Sequence, residues 1–252
     1  MKSYIYCYQT AVGFSMPVSE HALLLRCQPA RAAYINTTEE HLLLPPSMKM
    51  TAGTDAFGNR IVYGIGREPH TALAYVSTGI VKMDKYADTD THLPLAAYRQ
   101  PTPLTALSDR CRPGTTGHVL TDADTICHEV HRMVAYRKGA TAIGTTAAEV
   151  MEHREGVCQD FAHLMVGLCH TCGIAARYAC GLIAGDGETH AWVEVNDGYG
   201  WKGFDPTHDC RIGYGYLKIA HGRDAADCPV SRGLYTGQAE EHTVVNVMLK
   251  EI

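Results

Sequence analysis

No stretch of this 252-residue chain approaches the roughly 20 apolar residues that a membrane helix needs. Runs such as Ala22-Leu23-Leu24-Leu25 and Leu42-Leu43-Leu44 are far shorter. A basic excess is also missing: 22 lysines and arginines stand against 27 acids, for a formal charge of −5. A nucleic-acid partner is therefore not expected. The opening Met1-Lys2-Ser3-Tyr4-Ile5-Tyr6 lacks the apolar segment and small-residue cleavage site of a secretory signal, so the expected location is the cytoplasm. There is no internal repeat or low-complexity tract, and the glycines around Gly185 and Gly187 lack a phosphate-loop pattern. Cys169 and Cys172 form one C-x-x-C and His128 and His131 one H-x-x-H, but no second C-x-x-C completes a zinc set. Neither a metal nor a cofactor is expected.

What is present fits an ordinary soluble chain, with 46% hydrophobic and 19% charged residues and enough length to bury a core. Its ten cysteines are scattered rather than packed into a short disulfide scaffold. Most of them read as small apolar residues.

The chain divides by pattern near residue 104. Before it, residues 3–8, 21–28, 60–64 and 71–77 are short runs rich in β-branched, aromatic or leucine residues, punctuated by Pro45-Pro46, Gly53 and Phe57-Gly58-Asn59. Residues 1–104 are therefore expected to form a β-rich N-terminal region, and 105–252 a core. Residues 87–118, with Pro94, Pro101, Pro103 and Pro113, read as a connection over the surface. Thr121 with Asp124 has the spacing of a capping box, and Ile126, Val130, Met133 and Val134 continue a helical stripe. Thr146 with Glu149 announces a second, shorter helix, which Gly156 is expected to end.

The chemistry concentrates after that point. Phe161, Leu164, Leu168 and Cys172 share one face of a helix closed by Gly173, which sets Cys158 at or just before its first turn. Unpaired amides there favour a thiolate and could bind an oxyanion on a carbonyl that the sulfur attacks. A lone cysteine at a helix start is more often a packing residue, so the signal needs support. It comes from strands at 174–183, 190–195 and 201–204. A hairpin centred on Asp197-Gly198 sets His190 directly opposite Asp205, although the extra Tyr199-Gly200 could shift that register. Asp160 is expected to serve the helix N-terminus and His163 to be structural.

Four segments carry a family resemblance. Gly156-Val157-Cys158-Gln159-Asp160-Phe161-Ala162, Gly173-Ile174-Ala175-Ala176-Arg177-Tyr178, His190-Ala191-Trp192-Val193-Glu194-Val195 and Gly200-Trp201-Lys202-Gly203-Phe204-Asp205-Pro206-Thr207 resemble the bacterial transglutaminase-like superfamily in wording, order and spacing. Gly222-Arg223-Asp224-Ala225-Ala226-Asp227 and Arg232-Gly233 also look like this family. Asp55-Ala56-Phe57-Gly58-Asn59 and the strands around it resemble the β-rich region that often precedes such a core.

The resemblance implies an α+β fold in which a β-rich N-terminal domain precedes a papain/transglutaminase-like core, a helix packed on an antiparallel sheet. It implies Cys158 as nucleophile, His190 as general base and Asp205 as the group orienting the imidazole. The substrate implied is an amide in a peptide or protein, attacked through an acyl-enzyme. Two departures point to hydrolysis rather than cross-linking. The tryptophan that cross-linking enzymes place upstream of the cysteine is unmatched, since Trp192 and Trp201 both lie downstream, and the animal enzymes' extra barrels and calcium sites are missing. Gln159 and Trp192 are the candidate substrate-binding side chains, at the oxyanion site and the groove wall. Their plainer alternatives are an exposed helix-start glutamine and a sheet-packing tryptophan. Two other functions remain open: a peptide-binding module on the same scaffold, and a redox thiol protein, which needs a resolving cysteine near Cys158.

Overall fold

A computed structural model describes residues 1–252. Its first half is strand. β1 (Lys2–Leu25), β2 (Ile35–Leu43), β3 (Lys49–Thr54), β4 (Arg60–Gly66) and β5 (His70–Met83) precede the first α-helix. The runs at 3–8 and 21–28, expected as separate strands, belong to the single 24-residue β1. Tyr4, Tyr6, Tyr8 and Thr10 alternate inward along it, the period of a half-buried strand. Residues 4–13 of β1 lie between β5 and β15 (Glu241–Glu251). Past two register shifts, and Glu20 at φ 48°, its far end pairs instead with β4 and β14 (Ser231–Thr236). Irregularities of this kind bend a strand, which lets one segment serve both ends of the sheet. The last two strands of the 105–252 segment thus return to the sheet that the first hundred residues begin.

The second half holds α1 (Val119–Met133), α2 (Ala147–His153) and α3 (Cys158–Thr171). Short strands β6 (Ala135–Tyr136) and β7 (Glu155–Gly156) pair in parallel just ahead of α3. A five-stranded antiparallel sheet follows in the order β12-β11-β10-β8-β13. Its strands are β8 (Ala176–Ile183), β10 (His190–Asn196), β11 (Trp201–Asp205), β12 (Cys210–Arg211) and β13 (Tyr216–Gly222), while β9 (Gly185–Gly187) joins β15. The fold is α+β, with α3 packed on this antiparallel sheet. α3 is buried without a break from Asp160 to Cys169, as a helix enclosed on all sides must be. One hydrophobic core runs from Tyr4 and Tyr6 through Leu164 and Val193 to Leu249, uniting both sheets.

The helix boundaries refine the expectations. The Thr146–Glu149 capping box forms in both directions, a device worth about 1 kcal/mol. The Thr121–Asp124 box does not: α1 begins three residues earlier, with His118 as N-cap, and the Thr121 hydroxyl meets His118 Nδ1 instead. α2 ends with Arg154 at φ 58° in the left-handed position expected of Gly156. Gly156 has another task. A Cβ there would stand 2.6 Å from Cβ of Asp160, so only glycine lets the carboxylate fold back over the start of α3. Gly173 does close its helix, at φ 72°.

Residues 87–118 are not simply a surface connection. Tyr98 and Thr105 are fully buried, and Tyr98 meets Trp201 edge-on at 5.1 Å between ring centres. Asp88 anchors the segment. It takes Arg177 Nη2 at 3.0 Å and the Lys218 ammonium, while Glu194 takes Arg177 Nε at 2.6 Å and Lys218 Nζ at 2.9 Å. Burial opposes the charge on Glu194, but Arg177 and Lys218 hold its carboxyl well below the usual range. Two acids and two bases share the interior, so removing one leaves an uncompensated charge there. This cluster fastens the connecting segment to β8, β10 and β13.

Candidate active site

Cys158 is the first residue of α3, and Val157 is its N-cap. Valine offers no acceptor, so the cap works in one direction: the Val157 N–H donates to Asp160 Oδ2 at 2.7 Å, and Thr141 Oγ1 donates to the same oxygen at 2.6 Å. Asp160 thus holds the entry into the helix, as expected, and is turned back toward residue 157. The amides of Cys158 and Gln159 stand in the first turn, where the helix has no carbonyl for them. The thiol is partly exposed.

His190 opens β10, and Asp205 ends β11. The observed hairpin pairs Asn196 with Trp201 and Val193 with Phe204, two residues away from the register expected around Asp197-Gly198. The cause is Tyr199-Gly200, which lengthens the loop. An even shift leaves every side chain on its expected face. The two residues meet diagonally rather than directly opposite, with His190 Nε2 2.7 Å from Asp205 Oδ2. Trp192 stacks beside the imidazole at 6.5 Å and Tyr216 meets it edge-on at 6.3 Å.

Electrostatics favours charge on both partners. Burial works against a charged His190 ring, which is 8% exposed. The hydrogen bond and charge of Asp205, with Cys158 acting in the same direction, outweigh it and raise the imidazole to about 9. Burial likewise resists charge on Asp205, while donors from His190, His208 and Tyr216 bring its carboxyl down to about 2. Both shifts favour the imidazolium–carboxylate form of the pair, and Cys158 is one of the groups acting on that ring.

Cys158 and His190 line one cleft of about 770 Å³, with 13 hydrophobic residues among the 22 that form it. Tyr8 and Val245 come from the first sheet, Ile143 from the loop before α2, and Ala225 and Val230 from the segment after β13. Gln159 also lines it, but its Nε2 donates to the Ile143 carbonyl at 3.1 Å. The expected place of Trp192 on the groove wall is corrected. It is fully buried, and its indole N–H donates to the Tyr86 hydroxyl at 2.7 Å. Its inward position on β10 puts it in the core beneath His190.

Other candidates separate. His163 is fully buried, accepts the Ala225 N–H at 3.1 Å, and is lowered to about 4 by burial, which keeps it neutral. His128 bonds Asp209, whereas His131 bonds the carbonyls of Pro206 and Thr207. Cys169 is buried, and burial pushes its thiol up. Two residues escaped the sequence reading. His208 Nδ1 and Tyr216 Oη each lie 2.7 Å from Asp205 Oδ2. The turn after Asp205 was the available signal for His208, because an aspartate commonly bonds its own backbone two residues on. Nothing local pointed to Tyr216, which arrives on β13. The ligand atoms of His190, Asp205 and His208 lie within 4.8 Å of one another. Here the two ring nitrogens meet Asp205 Oδ2 as hydrogen-bond partners, each at 2.7 Å.

Residues 105–206 match the transglutaminase-like superfamily core, and residues 4–82 match the bacterial transglutaminase-like N-terminal region. The chain belongs to the transglutaminase-like superfamily. A Cytophaga hutchinsonii protein, solved as a candidate cysteine protease, has the same fold as this transglutaminase-like chain. The two superpose with a TM-score of 0.83 at 24% identity, over 100% of this chain and 91% of that one. An uncharacterized protein of Mycobacterium tuberculosis is 36% identical over 139 residues, 48% of this chain and 44% of its own length. One of Mycobacterium leprae is 33% identical over 113 residues, 41% of this chain and 40% of its own. The transglutaminase-like chain thus spans less than half the length of these curated relatives. No helix in it is long and apolar enough to cross a membrane.

Proposed function

We propose that this transglutaminase-like chain is a cysteine-dependent amide hydrolase acting on peptides or proteins, with Cys158 as nucleophile, His190 as acid and base, and Asp205 as orienter. The observation that carries this reading is the 2.7 Å contact between His190 and Asp205, made at the edge of a cleft that also holds the thiol at a helix start. The sulfur of Cys158 attacks the amide carbonyl carbon, and the oxyanion is met by first-turn N–H groups of α3. His190 gives its proton to the leaving nitrogen as the C–N bond breaks, leaving a thioester and a neutral ring. It then takes a proton from water as that water attacks the thioester, and the acid departs as the C–S bond breaks, which restores the thiolate beside the imidazolium. Asp205 holds the ring and stabilises its charged form in both steps.

The mainly apolar cleft suits an acyl group with hydrophobic side chains. The name given to the Cytophaga hutchinsonii protein is in keeping with this chemistry, and hydrolysis is favoured over cross-linking because the upstream tryptophan is unmatched. Action in the cytoplasm is part of the proposal, in keeping with ten free thiols. A peptide-library cleavage screen run beside Cys158→Ala tests the reading. Cleavage that vanishes in the variant supports it. Specific binding of library peptides without cleavage by either protein would make the fold a recognition module instead.

A further inference from the structure

Asp205 receives five hydrogen bonds. Its Oδ1 accepts the backbone N–H groups of Thr207 at 2.9 Å and His208 at 3.2 Å. Those two contacts fix the carboxylate by themselves, as part of the turn that follows β11. Oδ2 then takes three side-chain donors, from His190, His208 and Tyr216, each at 2.7 Å. Asp205 is fully buried and Tyr216 half-buried, but the His208 side chain is 49% exposed. Its ring centre lies 5.1 Å from that of His190. A half-exposed imidazole gains little by burial. Its specific contact is with the one oxygen that His190 also uses.

From this arrangement we infer that His208 is a positioning residue which, through Asp205 Oδ2, limits how firmly the His190 ring holds its proton. The inference rests on the triad reading above and adds a residue to it. A carboxylate oxygen has a limited capacity to stabilise donors, and each further donor spreads the same negative charge. Sharing by His208 therefore weakens the hold of Asp205 on the His190 proton. This matters because His190 must be charged in one half of the proposed reaction and neutral in the other. An imidazolium held too firmly protonates the leaving nitrogen poorly, so it is the acid half of the reaction that a looser hold assists. The elevated His190, at about 9, leaves room for such moderation. The other titratable groups around this pair are Cys158 from α3, Cys127 and His131 from α1, Cys210 from β12, Tyr216 from β13 and Asp209 in the turn. None of these but Tyr216 bonds Oδ2, so the effect of His208 is separable from theirs.

The test follows Cys158 alkylation by iodoacetamide as a function of pH in the whole protein, with His208→Ala beside His208→Asn. The asparagine amide can occupy the place of Nδ1 and donate to the same oxygen. Alkylation needs no substrate turnover, so it reads the thiol–imidazole pair directly. In His208→Ala the upper inflection, where His190 loses its proton, is expected to move upward by about half a unit or more. In His208→Asn it is expected to stay with the native protein. On a cleaved peptide, kcat should fall several-fold in the alanine variant with KM nearly unchanged. Ring NMR signals of His190 give the same inflection independently of the thiol. An unmoved inflection in a folded His208→Ala, or equal shifts in both variants, overturns the role assigned to His208. A native profile like that of an ordinary thiol overturns the triad reading itself, and this inference with it.

Discussion

Replacing Asp205 by asparagine removes one charge and leaves the side chain nearly the same size. In the native site the carboxylate, with Cys158, lifts the buried His190 ring to about 9 against a burial effect that lowers it. Without the charge, the burial effect prevails and the ring falls to or below its ordinary value near 6.5. That difference corresponds to roughly 3 kcal/mol of lost stabilisation of the imidazolium. If the ring carries the proton in the rate-limiting transition state, turnover should drop by about two orders of magnitude or more. Peptide cleavage at neutral pH measures the loss, and iodoacetamide alkylation of Cys158 against pH measures its cause. The low-pH arm of the alkylation profile should move toward that of an ordinary thiol, because the charged ring no longer assists ionisation of the sulfur. A variant that keeps both the native rate and the native profile would refute the reasoning and reduce Asp205 to a fold residue.

Three further outcomes follow from the same contacts. Arg177→Leu leaves Glu194 and Asp88 with Lys218 as their only buried ion-pair partner, so unfolding in urea should show a loss of about 3–5 kcal/mol; a change below 1 kcal/mol would mean the cluster is not coupled to folding. Gly156→Ala drives a methyl group into Asp160, and both melting temperature and Cys158 alkylation rate should fall, whereas unchanged values of both would show the approach is not tight. The two ionisations also bracket stability with pH. The raised His190 contributes fully below its unfolded value near 6.5 and loses that contribution as pH rises through about 9. The lowered Asp205 contributes above its unfolded value near 3.9 and loses that contribution as pH falls through about 2. The stability difference between native protein and Asp205→Asn should therefore be largest between about 3.9 and 6.5 and shrink as pH rises through about 9 or falls through about 2; a constant difference across pH contradicts the linkage.

The site was legible where chemistry follows local pattern, and less so where distant strands contribute. Cys158 at the start of α3 follows from the apolar stripe and Gly173, because helix period and terminator lie within a few residues of each other. His190 and Asp205 were legible as a pair even though the expected register was two residues off, since an even slip preserves the face. Loop length fixes register, and residues 197–200 permit more than one loop. Trp192 shows the limit of alternation. On β10 both faces are covered, one by α3 and the other by the segment around Tyr86, so position in the strand did not tell groove from core. The same holds for β1, whose two expected strands are joined through bulged residues into one. The long-range partners Tyr216 and Val245 depend on which strands neighbour one another, which no local spacing encodes. His208 lay three residues from a residue already singled out, and the turn chemistry of Asp205 was the clue to it.

The central claim is that Cys158 carries the acyl group with the help of His190. Intact-protein mass spectrometry during reaction with p-nitrophenyl acetate tests it most directly. The account predicts a burst of nitrophenol, a single acetyl group mapped to Cys158 that turns over on standing, and loss of both burst and adduct in His190→Ala. Acetylation spread across several of the ten cysteines, or an adduct at Cys158 that forms equally fast without His190, would contradict it.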